Sequence, residues 1–190
     1  MPKPNQEPDV QFWNIEMTNS VDFALAAQLV VQSRVEDLQL AGAGEPILQA
    51  YKQNNAVVTR LIADKWREPV PGQRLDYGVF AVVGDVAVGF CGAQRGLSGD
   101  RISLYIEPEH RRKGIGSRAL QAYTDNYADG RPASIYHHQD NAAAGQFLTR
   151  RGFTDALGIP QTDLQEVRLG GPGDPSFARV YYVKKTKQGS

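Results

Sequence analysis

The chain has 190 residues, 41% of them hydrophobic, which is enough to bury the core of one domain. Its 21 basic and 21 acidic side chains balance, so no overall positive charge favours nucleic acid as a partner. Cys91 is the single cysteine, which excludes an internal disulfide. Because we find no signal peptide and no apolar run long enough to cross a membrane, we predict a cytoplasmic protein without a membrane partner.

The N-terminal third of the chain predicts one strand and two helices. Alternating apolar residues over 10–17 indicate the strand. A helical pattern follows Asn19, a suitable cap residue, and ends near Gly42. The second helix begins at Glu45, before a proline that suits a first helical turn, and a break at Asn54 is compatible with its pattern.

The middle of the chain predicts three strands. Two apolar runs over 77–83 and 86–91 are joined by Gly84-Asp85, which indicates a β-hairpin. Alternation resumes over 102–107, and Pro108 ends this strand because proline has no N–H to donate.

A basic, glycine-containing turn follows and leads into an amphipathic helix. The first N–H groups of a helix lack partners and lie at the positive end of its dipole, so this turn suits an anion such as a pyrophosphate. A solvated surface turn would have the same composition, and the hexapeptide alone leaves both interpretations open. The turn is Arg111-Arg112-Lys113-Gly114-Ile115-Gly116, and the apolar stripe after it consists of Ile115, Ala119, Tyr123 and Tyr127.

The C-terminal part predicts a strand over 133–136, a helix after Asn141, a loop over 170–175 and a last strand over 178–183. This order of elements predicts an α/β (α+β) fold, in which a mixed sheet has helices on both faces.

We expect a single domain over residues 10–184. The polar segments 1–9 and 185–190 are predicted to be flexible tails. The last strand, over 180–183, is a candidate exposed edge through which a homodimer would pair.

Two motifs in order resemble the GNAT (Gcn5-related) N-acetyltransferases. The turn at 111–116 is similar to the family's Arg-x-x-Gly-x-Gly motif, after a strand ending in Glu-Pro-Glu-His. Asp140-Asn141-Ala142-Ala143-Ala144, followed by Phe147 to Phe153, is similar to its Asn-x-x-Ala…Gly-Phe helix. The resemblance extends over 77–153. It implies a mixed, mostly antiparallel sheet in which two neighbouring strands splay apart to admit acetyl-CoA.

The resemblance also implies the residues that bind the acyl donor. The backbone N–H groups of the turn would hold the pyrophosphate, and Asn141 would reach the pantetheine arm, although it also suits a helix cap. No side chains with metal-ligand spacing occur, so no metal is expected. The predicted acetyl-CoA-binding residues are Tyr105, Ile106, Arg111, Arg112, Lys113, Gly114, Ile115, Gly116, Asn141, Ala144 and Phe147.

Transfer to an amine needs a base for the amine and an acid for the departing thiolate. Candidate bases are Asp100 and Glu107 on the central strand and His137 after the next strand; each also suits a structural or solvated position. Many relatives have a tyrosine as the acid where this chain has Leu148, so Tyr136, Tyr105 or water would have to replace it. Cys91 lies in an apolar strand and is expected to be inert core.

These features predict an acetyl-CoA-dependent N-acetyltransferase that acts by direct attack of an amine on the thioester. We favour a small-molecule amine as acceptor, with lysine as a further candidate. A CoA-binding module that has lost catalysis is the alternative that Leu148 favours, and a protein or aminoacyl-tRNA acetyltransferase is a third. Four acids would suit a cationic acceptor, although they also suit a solvated face: Glu36, Asp37, Glu45 and Asp64.

Overall fold

The computed structural model describes residues 9–16, 19–68, 74–156, 164–169 and 178–188. These residues form one sheet of eight strands with helices on both faces. The strands are β1 (Val10–Asn14), β2 (Tyr77–Val83), β3 (Val86–Gly96), β4 (Gly99–Ile106), β5 (Ala133–His138), β6 (Thr154–Asp155), β7 (Leu164–Leu169) and β8 (Ala178–Lys187). The helices are α1 (Ser20–Leu40), α2 (Glu45–Gln53), α3 (Asn55–Arg67), α4 (Ile115–Asn126) and α5 (Ala142–Arg150).

Local sequence explains where the first helices begin and end. The Asn19 side chain accepts a hydrogen bond from the Val21 N–H and caps α1, as predicted. Pro46 lies in the first turn of α2, where its missing N–H costs nothing. The break at Asn54 is present and separates α2 from α3.

The sheet is antiparallel except between β4 and β5, which are parallel. Its strand order is β1-β2-β3-β4-β5-β8-β6, and β7 also pairs with β8. Along β4 and β5, pairing is limited to Asp100 with Ala133, Arg101 with Ser134, and Ile102 with Ile135. Both strands continue beyond these pairs, so they separate. This is the splay that the resemblance implies and that periodicity does not predict.

Each face of the sheet carries its own apolar core. On one face, Tyr105 and Phe90 pack in a cluster that includes Phe23 and Leu29 of α1 and Trp66 of α3. On the other face, a second cluster contains side chains of α4, β5 and α5. Cys91 is fully buried in this second cluster, and burial raises the pKa of its thiol to about 12, which agrees with an inert core residue.

Several predicted boundaries are wrong. Strand β1 ends at Asn14, β3 continues to Gly96, and β4 begins at Gly99. Strand β8 continues to Lys187, so residues 185–187 belong to the sheet and are not a tail.

The C-terminal strands also differ from the prediction. The short strand β6 and the strand β7 have no counterpart in the sequence analysis. Tyr182 and Val183 pair with β5 on one side and with β7 on the other, so they are not an exposed edge. The predicted tail at 1–8 and the loop at 170–175 lie outside the described residues.

Candidate active site

The turn before α4 leaves the first N–H groups of that helix without partners inside the helix. Gly114 occupies the cap position with a φ of +73°, and no side chain caps the helix. The first bond of the helix runs from the Arg118 N–H to the Gly114 carbonyl, at 3.1 Å. The N–H groups of Ile115, Gly116 and Ser117 therefore remain as donors at the positive end of the helix dipole.

The two glycines of this turn keep the space around it open. A Cβ added at Gly114 would have no atom within 4 Å. A Cβ at Gly116 would lie 3.6 Å from Cγ1 of Ile106 and 3.7 Å from Cζ of Phe147. The predicted residues Ile106, Gly116 and Phe147 thus lie together where β4 ends, and Gly116 faces the space between β4 and α5.

The backbone of β4 presents hydrogen-bonding groups to the gap. The Asp100 N–H donates to the carbonyl of Pro132, which precedes β5. The Glu107 N–H donates to the carbonyl of Val88 in β3, on the other side of the strand. Because these groups alternate between the two sides of a strand, the N–H and C=O of Leu104 and Ile106 point towards the gap. An extended ligand arm in the gap would find backbone partners there.

Arg111 does not point to the free N–H groups. Its Nε donates to the Ile106 carbonyl at 2.7 Å, and its Nη2 lies 2.6 Å from Oε2 of Glu36 on α1. The guanidinium carbon also lies 5.5 Å from the centre of the Tyr105 ring. Arg112, with a φ of +61°, and Lys113 are exposed beside it.

Glu36 joins this group to α1. The Tyr105 hydroxyl donates to Oε1 of Glu36 at 2.8 Å, and burial, followed by this hydrogen bond, raises the pKa of Tyr105 above its ordinary value. From the sequence, Glu36 was one of four acids suited to a cationic acceptor. The signal that distinguishes it is its position seven residues after the buried Leu29, on the inward stripe of α1.

Asp100 lies away from the turn, at the opposite end of β4. It is 1% exposed and accepts a hydrogen bond from the Tyr123 hydroxyl at 3.0 Å. Its Oδ1 lies 3.4 Å from Nε of Arg131 and 3.8 Å from Nε of Arg95. A carboxylate held by these partners at the paired end of the strands stabilises the junction of β4 and β5.

The other candidate catalytic residues lie on opposite faces of the splay. The ring of His137 lies 3.3 Å from a Cβ built at Gly145 of α5. Side chains alternate along a strand, so Tyr136 faces the other way, on the side of Tyr105 and α1. Glu107 follows the end of β4, and its charge contributes a little to the raised pKa of Tyr105.

His137 has a defined tautomer. Its Nδ1 lies 2.8 Å from the His138 carbonyl, which only accepts, so Nδ1 carries the proton. Its Nε2 is buried and has no hydrogen-bond partner among the described residues. Burial lowers the pKa of His137, so the ring is neutral near pH 7 and Nε2 offers a lone pair.

Helix α5 carries two residues whose roles the sequence left open, Asn141 and Leu148. The Asn141 side chain accepts a hydrogen bond from the Ala144 N–H at 3.0 Å and caps the helix. Leu148, at the position where the resemblance implies a tyrosine in many relatives, is 2% exposed and packs in the core beside α4. Within the described ranges, no three potential metal-ligating side chains come together. No described helix is long and apolar enough to span a bilayer.

A family model matches the central segment of the chain. Residues 76–155 match the family model described as an acetyltransferase (GNAT) domain. This segment contains β4, the turn before α4, and α5, which are the elements that carry the predicted motifs. The predicted resemblance is confirmed.

A curated relative matches part of this region. A mycothiol acetyltransferase from Parafrankia sp. is 35% identical over 98 residues, which are 50% of this chain and 28% of the relative. The match therefore spans little more than a quarter of that protein's length.

Solved structures share the whole fold. The PaiA N-acetyltransferase from Thermoplasma acidophilum, in complex with coenzyme A, matches with a TM-score of 0.56 at 15% identity, over 95% of this chain and 99% of that chain. An acetyltransferase from Thermus thermophilus matches with a TM-score of 0.55 at 17% identity, over 94% of this chain and 96% of that chain. The predicted fold class is confirmed.

Proposed function

We propose, since residues 76–155 match the model of the GNAT acetyltransferase domain, that this chain transfers an acetyl group from acetyl-CoA to the primary amine of a small molecule. The observation that carries this proposal is the gap between β4 and β5, which opens beside the uncapped first turn of α4. The name of the Parafrankia relative and the coenzyme A in the Thermoplasma structure support it. We place the reaction in the cytoplasm.

The residues at this gap suit coenzyme A. The N–H groups of Ile115, Gly116 and Ser117, together with the exposed Arg112 and Lys113, would hold the pyrophosphate. The gap-facing N–H and C=O of Leu104 and the N–H of Ile106 would pair with the amides of the pantetheine arm, whereas the Ile106 carbonyl already accepts from Arg111. Acetyl-CoA supplies a thioester, whose carbonyl carbon the amine attacks directly.

Among the predicted bases, His137 has the most suitable state. Its Nε2 is unprotonated and lacks a partner, so it is able to take a proton from the attacking amine, directly or through a water. Asp100 is engaged with Tyr123 and two arginines and is the least suited of the three. Glu107 remains a second candidate base.

For the thiolate, the chain offers Tyr136 and Tyr105 on the α1 side of the splay. Tyr105 keeps its proton, because burial and the hydrogen bond to Glu36 raise its pKa. A CoA-binding module without catalysis is the second candidate function, and the buried Leu148 favours it because it offers no hydroxyl where the resemblance implies one.

Calorimetry of acetyl-CoA binding tests the anchor at α4. We expect micromolar binding by the wild type and a loss of at least about tenfold in Gly114→Asp, since the new carboxylate would meet the pyrophosphate. Gly114→Asn is the matched control. Asn tolerates the positive φ at this position about as well as Asp but carries no charge, so it should keep most of the affinity.

A folded wild type that binds no acyl-CoA would refute the proposal. Equal weakening by Asp and Asn would point to backbone strain and not to charge. If acetyl-CoA binds, release of CoA with a panel of primary amines separates an enzyme from a binding module.

A further inference from the structure

Glu36 is a carboxylate at the edge of the proposed site that already holds a cation. Its side chain is 26% exposed, and it lies 2.6 Å from the Arg111 guanidinium. The Tyr105 hydroxyl donates to its other oxygen. The position therefore accepts a positive group, in a place partly shielded from water and next to the open side of β4.

Arg111 has two competing partners in this arrangement. It belongs to the turn whose N–H groups await an anion, yet its guanidinium is turned back to Glu36 and to the Ile106 carbonyl. A diphosphate at the first turn of α4 would attract the guanidinium towards itself. Glu36 would then lose its cation and require another.

Gln32 adds a second, independent sign of a missing donor. It precedes Glu36 by four residues, so the two side chains lie one turn apart on the same face of α1. Its Oε1 is buried and has no hydrogen-bond partner among the described residues. A buried acceptor without a donor is costly, and an ammonium group brings three N–H donors.

We propose that Glu36 and Gln32 bind the ammonium group of the acceptor, and that Arg111 occupies Glu36 until acetyl-CoA draws it away. The inference rests on the proposed function and names its acceptor class: primary alkylamines, which are protonated at neutral pH. The bound ammonium must lose one proton to a base or to water before its nitrogen attacks. Because acetyl-CoA must first draw Arg111 away from Glu36, we expect acetyl-CoA to bind before the amine.

The test uses a mutation to free Glu36 from Arg111, which is the effect that we assign to acetyl-CoA. Removing the guanidinium in Arg111→Ala should free Glu36, so this variant should bind 1,4-diaminobutane without CoA, at least about tenfold more tightly than the wild type. The double variant Arg111→Ala/Glu36→Gln should lose that gain. Gln32→Leu, added to Arg111→Ala, should lose part of it.

Asp64→Asn in the Arg111→Ala background is the matched control. Asp64 lies on the exposed side of α3, where it pairs with Arg60 and Arg67, so diaminobutane binding should stay unchanged. Thermal unfolding of each variant checks that it is folded.

Either of two results overturns the inference. One is that Arg111→Ala binds diaminobutane no more tightly than the wild type does, and the other is that the double variant Arg111→Ala/Glu36→Gln keeps the affinity of Arg111→Ala. Because this cycle uses no CoA, its result is independent of the acetyl-CoA calorimetry. A further readout concerns acetyl-CoA itself. Glu36→Gln alone should bind it as tightly as the wild type or more tightly, since Arg111 is no longer held back.

Discussion

Asp100 is the side chain whose surroundings differ most from its predicted role. We expect Asp100→Asn to destabilise the fold by about 2–3 kcal/mol, because it leaves Arg131 and Arg95 without a buried counter-charge. The value is below that of a fully buried pair because both arginines are partly exposed. Urea unfolding measures the change, and acetyl-CoA affinity should not change.

The neighbouring Asp129→Asn is the control. Asp129 also pairs with Arg95, but its side chain is 51% exposed, so the loss should stay below about 1 kcal/mol. If Asp100→Asn instead abolished turnover while leaving stability intact, Asp100 would be the base after all.

The state of His137 predicts how the stability of the protein depends on pH. Burial lowers its pKa in the folded state, so the unfolded chain takes up a proton first as pH falls. The share of the free energy of unfolding that comes from this difference is fully present above pH 6.5, the ordinary pKa of histidine. It decreases as pH falls towards the lowered pKa of the folded state. His137→Asn should remove this part of the acid sensitivity, as measured by thermal unfolding at pH 7.5 and 5.5.

The same variant separates structure from chemistry. If His137 is the base, the wild-type rate should fall on the acid side with an apparent pKa below 6.5, and His137→Asn should lower kcat at every pH. An unchanged kcat would leave Glu107 as the candidate.

At the scale of elements, the cap of α5 decides between two interpretations of Asn141. Asn141→Ala should cost about 1 kcal/mol of stability, because the Ala144 N–H loses its acceptor. Asn141→Ser retains a cap and should recover most of that loss. Chemical unfolding measures this, and calorimetry with both variants shows whether acetyl-CoA affinity falls in parallel. A loss of affinity in Asn141→Ser, with stability intact, would establish contact with the ligand.

Elements with a local signal were predictable from sequence. The hairpin at Gly84-Asp85 and helix α4 after its glycines carry their turn chemistry and periodicity within a few residues of each other. Strand β6, with two residues, is too short for any periodicity. The extension of β8 depends on partners in β5 and β6, which the polar sequence after Val183 does not reveal.

The residues of the site also divide into those with a local sequence signal and those that depend on distant partners. The turn at 111–116 and Asn141 carry motifs, so their neighbourhood was predictable. Glu36 was not, because its role depends on contacts with Tyr105 and Arg111, which follow it by 69 and 75 residues. The roles of Asp100 and His137 likewise depend on burial and on partners that only the folded chain brings to them.

For the molecule as a whole, the C-terminal residues complete the sheet. A chain ending at Lys184 would lose the pairs of residues 185–187 with β5, and the contact at 3.0 Å between Lys185 Nζ and Asp155. With about 1 kcal/mol for each lost hydrogen bond, we expect a loss of about 3–5 kcal/mol in urea unfolding. A chain ending at Gln188 should match the wild type, and equal stability of both truncations would contradict the observed end of β8.

The short pairing of β4 with β5 also has a consequence for biosynthesis. Strands β1 to β4 and helices α1 to α3 leave the ribosome first, and they include one whole face of apolar packing. Until β5 emerges, β4 is an open edge that is able to pair with another nascent chain. In the described residues, pairing with β5 closes three positions of that edge and leaves the rest open. The yield of folded protein should therefore depend on how quickly translation delivers residues 133–135.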